Sequence, residues 1–445
     1  MKIMKIKDGG LFFYFITAAA VLYQGTVSAG TIPDDGTLCE KGKALFEDGA
    51  YSKAEKVLEN AVALNPENAE AYYFLGYVKD RLARRKDGIW YGREKTEAIS
   101  RSFEKVIALT KGTRYTGGIY LLNPQDKIFS LWASLAQRVL SAGDEAAARK
   151  AFDEAKKRGG FDEVVYRYMR TTLQTCPEDA LLFTGGDMDT FYPLYLQLVE
   201  GFRTDVAVLN IHLLKELWFV QSLSKPDRWR KRPLAVPFSA EELIELYHGA
   251  ATTELPVSVQ IPQLGCRESD DHGTAVRIVE SNDADEKKLH RMHPRDVTLL
   301  KIIEANPQRP LCIAATMARI PFGYRLEHNG SVWNPHDDRE RCGPAFQFTF
   351  CKSDIAALAE KNSALIRETL HHSPLPDSPL INDYQYIAQQ YLQWCIETAV
   401  MLNRVGRQDE ARRLITEFVT QAGGIRYLTD TTQRECLLKM AGTGN

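Results

Sequence analysis

No sign of charge dominates this chain: 56 Lys and Arg face 58 Asp and Glu, a net charge of −2. A large nucleic-acid footprint is not expected, because phosphate-backbone binding needs an excess of basic side chains. The phosphate-cradling motifs are missing too, both G-x4-G-K-[ST] and G-x-G-x-x-G. Without a G-x-S-x-G elbow, a serine hydrolase of that type has no support. The eight cysteines include no C-x-x-C pair, which removes the common zinc and dithiol-redox signatures. His290 and His293 could share a helical face, but Pro294 follows and no Glu completes a zincin pattern. They read as solvated histidines, as do His336 and the pair His371-His372. No metal or other cofactor is implied. A glycosidase-type carboxylate pair stays open, because such pairing is spatial rather than sequential.

After residue 29 no apolar run is long enough to span a bilayer. Residues 1–29 have the layout of a secretory signal: Lys2, Lys5 and Lys7, an apolar stretch over 11–23, then Val27-Ser28-Ala29 before Gly30. The alternative is a retained N-terminal anchor. An exported, periplasmic or secreted protein is the expectation, with no membrane span once the signal is gone. Export permits disulfides. Cys342 and Cys351 flank a short β-like run and are the best candidates for a bridge, whereas Cys312 reads as a buried free thiol.

At 445 residues the chain exceeds one ordinary core, and its pattern changes twice. The first part is a helical repeat. Gly42-(x2)-Leu45, Ala54-(x3)-Leu58 and Pro66 recur as Tyr72-(x2)-Leu75-Gly76 with Ile99-(x3)-Phe103, then as Trp132-(x2)-Leu135-Ala136 with Ala148-(x3)-Phe152. Small residues at the Ala positions let two helices approach closely, and aromatic positions fill the space between turns. These spacings resemble the tetratricopeptide-repeat family. The resemblance implies stacked helix pairs with a concave groove for a protein or peptide. Residues 83–97 read as an interruption of the second repeat, and 115–127 as a loop between repeats.

From residue 180 the period becomes strand, turn, helix, strand: 181–184, the turn Gly185-Gly186-Asp187-Met188-Asp189, a helix over 190–201 and a strand over 206–210. That is a βαβ unit. Ser239 and Glu242 form a capping box for a helix to Tyr247. A helix over 295–306 leads into a strand over 311–315, and 324–327, 331–333 and 346–350 look like further strands. Helices over 383–403 and 407–421 close the chain. Gly186-Asp187-x-Asp189-Thr190-Phe191, Pro193, Glu200-Gly201, Arg203 and Asp205-Val206 also resemble the soluble tail of bacterial membrane proteins similar to protein O-mannosyltransferases. That likeness implies an accessory domain alone, since this chain lacks the family's multi-span membrane part.

The expected architecture is therefore α/β plus all-α. It comprises a tetratricopeptide-like α-solenoid over 37–178, an α/β domain with a mixed sheet over 180–372, and a C-terminal helix pair within 380–440. Two groups are candidate sites. Gly185, Gly186, Asp187, Asp189 and Thr190 lie where α/β sheets bind ligands, and the two carboxylates could hold a cation or sugar hydroxyls. The alternative is that Asp189 or Thr190 caps the helix while Asp187 supports the turn. Arg84, Arg85, Trp90, Tyr91 and Arg93 mix charge with aromatics, as partner contacts do, or else belong to a solvated loop whose Trp90 and Tyr91 tuck against the neighbouring repeat. The expected function is a non-catalytic interaction scaffold in the cell envelope. The alternative is an enzyme or accessory subunit of envelope glycan or glycoprotein assembly.

Overall fold

The computed structural model describes residues 34–87, 91–111, 115–223, 231, 234–248, 257–261, 274–279, 293–315, 325–328, 331–332, 339–342, 345–348, 355–372 and 382–420. The signal-like segment, Trp90, Cys351 and His290 lie outside these residues.

Three helix pairs open the fold: α1 (Asp35–Glu47) with α2 (Tyr51–Leu64), α3 (Ala69–Asp87) with α4 (Arg93–Leu109), and α5 (Pro124–Ser141) with α6 (Glu145–Lys157). Their close approach depends on the small residues read from the repeat. A Cβ on Gly42 would sit 2.5 Å from Leu58, and one on Gly76 would sit 2.6 Å from the Phe103 ring. Those distances are too short for any side chain, so glycine sets the helix spacing. Gly49 and Gly143 end the first helices of their pairs at φ +73° and +92°, where an L side chain would be strained.

The second pair departs from the expectation. Helix α3 runs through Ala83 to Asp87, and α4 starts at Arg93, so the interruption is confined to 88–92. The reason is intrinsic: Ala83, Arg84, Arg85 and Lys86 are good helix formers, and three cations suit a helix C-terminus. Likewise α5 begins at Pro124, capped by the Asn123 side chain on the Asp126 amide at 2.9 Å, so the loop expected to run to 127 ends at Asn123.

Helix α7 (Glu163–Thr175) leads into the α/β part: β1 (Leu181–Thr184), α8 (Met188–Glu200), β2 (Ala207–Asn210), α9 (Leu217–Leu223), α10 (Ala240–His248), β3 (Val257–Ile261), β4 (Thr274–Val279), α11 (Pro294–Ala305), β5 (Leu311–Ala314), β6 (Arg325–His328), β7 (Ser331–Val332), β8 (Arg339–Cys342) and β9 (Ala345–Phe348). The capping box at α10 is reciprocal: Ser239 N donates to Glu242 at 2.7 Å and Glu242 N donates to Ser239 Oγ at 3.1 Å.

The main sheet is mixed, in the order β2-β1-β5-β9-β8. Strands β1, β2 and β5 are parallel, with Leu181 opposite both Ala207 and Leu311, while β9 runs antiparallel to β5 and β8. The parallel strands are covered on both faces, as such strands require. Leu182, Val208 and Cys312 pack into the core shared with the helical array. Leu181, Phe183, Ala207, Leu209, Leu311 and Ile313 point the other way, among α9, α10 and α11. Strands β3, β4, β6 and β7 form a separate antiparallel sheet.

Three more helices follow, α12 (Ile355–His372), α13 (Asn382–Arg404) and α14 (Gln408–Thr420). The expected pair is α13 and α14, and α12 precedes it outside the expectation. Residues of the array, α8 and α12–α14 belong to one continuous apolar core.

Candidate functional site

At the end of β1 the chain turns through Gly185 and Gly186 into α8. Strand β2 lies on one side of β1 and β5 on the other, so this turn sits where the connections diverge, a frequent ligand position in open sheets. The turn is closed by its own side chains. Asp189 accepts from Gly185 N at 3.0 Å and from Gly186 N at 2.7 Å, using both carboxylate oxygens. The Thr190 hydroxyl bonds the Gly186 carbonyl at 2.7 Å and accepts from Asn210 Nδ2 at 2.8 Å. Asn210 Oδ1 in turn accepts from the amides of His212 and Leu213. Thr184, Thr190 and Asn210 therefore tie the ends of β1 and β2 together, all three buried. Asp187 differs. It occupies the N-cap position of α8 with no side-chain capping bond, its residue is exposed, and one carboxylate oxygen accepts from Ser130 Oγ of α5 at 2.6 Å.

One turn before Ser130 on α5, Lys127 reaches Asp80 of α3 at 2.9 Å. Asp80 also accepts from the Tyr91 hydroxyl at 2.6 Å and from Arg84 Nε at 3.0 Å. Burial acts against both charges of the Asp80–Lys127 pair. At Asp80 it is outweighed by Lys127, Arg84 and the Tyr91 hydroxyl, which hold the carboxyl well below the usual range. At Lys127 burial prevails and lowers the pKa, because Arg84 repels the ammonium that Asp80 attracts. The charge of Asp187 acts on Arg84, Tyr91 and Lys127 alike. Two groups that look independent in sequence are thus linked through α5: Ser130 bonds Asp187 of the acidic turn, and one turn away Lys127 bonds Asp80, which also holds Arg84 and Tyr91, making one polar seam.

The remaining partner candidates point elsewhere. Arg85 lies over the Tyr51 ring at 4.4 Å and donates to the Gly49 carbonyl, back toward the first turn of the array. Arg93 lies 5.7 Å from the Trp132 ring and 3.6 Å from Glu154 of α6. Among the described residues no group of three His, Cys, Asp or Glu comes together as ligands for a metal ion.

The inner face of α3 carries a second feature. Glu70, Tyr73, Tyr77 and Arg81 follow one another at helical spacing, and residues 115–122 lie across them. Tyr120 N donates to the Tyr73 hydroxyl at 2.9 Å, and Leu122 N donates to the Tyr77 hydroxyl at 2.9 Å. The Tyr73 hydroxyl donates on to the Leu122 carbonyl at 2.7 Å, while Gly118 N donates to Glu70 at 3.0 Å. The Tyr120 ring packs edge-on to Phe46 at 4.7 Å and Tyr77 at 5.2 Å, with Arg81 bonded to its hydroxyl. The open hollow expected from the repeat is thus corrected along α3: the chain's own residues fill it. The motif spacing misses this because the bonded partners are 39 to 49 residues apart. The local signal is the four-residue spacing of Tyr73, Tyr77 and Arg81.

With this geometry in view, the repeat and the domain beyond it find counterparts. Residues 42–81 match the TPR repeat family, so the chain carries a tetratricopeptide repeat. Residues 165–292 match TMEM260-associated domain 2. The protein described as Protein O-mannosyl-transferase tmem260, from Dictyostelium discoideum, is 37% identical over 54 residues. That match covers 12% of this chain and 7% of the relative's length. No solved structure matches. The resemblance read from residues 181–214 falls inside the second matched region.

Proposed function

We propose that this protein is an exported, non-catalytic scaffold of the cell envelope that engages a protein or peptide partner through its helical array. Tetratricopeptide repeats are stacks of helix pairs whose concave surfaces suit such partners. One observation carries the reading: the phenols of Tyr73 and Tyr77 hold a stretch of polypeptide by its backbone amides and carbonyl. A surface of that chemistry is made for polypeptide rather than for a small metabolite. Crosslinking and affinity capture of the full-length protein from its native envelope tests the reading. A specific polypeptide partner is the expected recovery; robust product from a turnover assay of the purified protein, or no partner under mild conditions, would overturn it. N-terminal sequencing of the envelope form should begin at Gly30.

A second reading is favoured by the exposed carboxylate of Asp187 at the divergence of β1 and β5. There the protein would serve glycan or glycoprotein assembly, as the enzyme or a subunit, with Asp187 and Asp189 as an acidic ligand site. Asp189 is committed to the turn, so Asp187→Asn is the separable test. Loss of saccharide binding by a variant that folds normally would support this reading, and unchanged behaviour would count against it.

A further inference from the structure

We infer that residues 115–122 are a displaceable strap, and that the face of α3 beneath them takes an extended peptide of the same pattern from another chain. The inference rests on the scaffold reading and adds a gate to it.

The grip on the strap is directed at its backbone. Three inward amides, those of Gly118, Tyr120 and Leu122, meet Glu70, Tyr73 and Tyr77 in register. These amides fall on every second residue, as an extended chain would offer them, although the segment itself bends at Gly117 and from Tyr120 to Leu122. Ile119 is 45%, Tyr120 39% and Leu121 57% exposed. A grip of this kind tolerates other sequences, since any extended chain offers the same amides and carbonyls.

Little else retains the strap. Tyr115 stacks on Tyr73 at 5.0 Å, and Tyr120 supplies the inward ring. Gly117 and Gly118 form a joint between them. By contrast the floor is fully covered: Phe46, Tyr73, Phe74 and Tyr77 are each buried. Opening therefore bares an aromatic floor and breaks the Tyr115 and Tyr120 ring contacts, but Thr116 and residues 118–121 of the strap are already exposed. That is the pattern of a low-stability local unit on a stable base. The strap is also an imperfect occupant, because Arg81 Nε is buried with no hydrogen-bond acceptor. The invading peptide is extended, with a small residue at the Gly118 position and an aromatic one at the Tyr120 position. A peptide lacking that ring would leave Phe46 and Tyr77 exposed.

The test uses a fluorescent peptide with the sequence of residues 115–123 and the full-length protein, read by anisotropy. A closed strap lowers the apparent affinity in proportion to the fraction of time the face is open. Tyr120→Ala weakens the strap and leaves the floor intact, so it should bind the peptide roughly tenfold more tightly than the parent. Adding Tyr73→Phe and Tyr77→Phe should abolish that gain. A folded Tyr120→Ala protein with no gain overturns the inference. Hydrogen exchange of the parent decides the matter even where that variant misfolds. The amides of Gly118, Tyr120 and Leu122 should exchange through local opening, roughly a hundredfold faster than the central amides of α3; equal protection overturns the strap. A failed strap beside a specific partner in envelope capture leaves the scaffold standing. An opening strap with no partner in capture removes both the scaffold and the peptide site that rests on it.

Discussion

The inner face of α3 and the turn before α8 both direct polar side chains at backbone groups, but at different backbones. At the turn, Asp189 and Thr190 bond Gly185 and Gly186, three or four positions away, so the segment largely holds itself, with one added bond from Asn210 of β2 to Thr190. On α3, Tyr73 and Tyr77 bond residues more than 40 positions away, a segment that another chain can imitate. Self-satisfied groups build a fixed corner, whereas groups satisfied from a distance form a surface that can change occupant. The polar seam of Asp80, Lys127 and Arg84 joins the two regions.

The largest effect should come from breaking that seam. Asp80→Ala leaves the Lys127 ammonium buried without its carboxylate, which costs about 3–5 kcal/mol, read as a fall in the urea midpoint. The same pair makes stability depend on acid. A carboxyl whose folded pKa is depressed contributes fully above its unfolded value and loses that contribution as pH falls toward the folded one. Between pH 5 and pH 3 the parent should lose about 1 kcal/mol more than Asp80→Asn, because the unfolded carboxyl titrates near ~3.9. An identical pH slope in the two proteins would mean Asp80 is not held ionised.

Next comes the fixed corner. Asp189→Ala orphans two amides and should cost about 2 kcal/mol, measured by thermal or urea unfolding. If it costs no more than an ordinary surface change, the turn is not self-held and the contrast with α3 fails. Smallest of all, Asp187→Asn should move stability by less than about 0.5 kcal/mol, since this carboxylate is exposed and keeps an acceptor for Ser130. A large loss there would show that the seam depends on its charge.

Much of the frame is legible in the residues. Gly42, Gly76 and Ala136 announce the helix pairs, because only small side chains fit where one helix meets the next. Ser239 and Glu242 announce α10 through a local reciprocal bond. Helices α7 and α12 carry no repeat motif and leave no such signal. Strand β3 does alternate apolar and polar residues over Val257-Ser258-Val259-Gln260-Ile261, a legible strand signal, whereas β4 alternates only in part. The basic run over 83–86 reads as loop from its charge, although its helix propensity points to α3. The seam and the strap are out of reach for another reason. Lys127, Ser130, Tyr73 and Tyr77 matter through partners placed by the stacking of whole helices, and no local spacing encodes that placement.

The most direct measurement is partner capture from the native envelope with three full-length proteins side by side: the parent, Tyr120→Ala, and Tyr73→Phe combined with Tyr77→Phe. We expect one polypeptide whose recovery rises with the first change and falls with the second. Equal recovery from all three proteins would contradict a partner site on the inner face of α3.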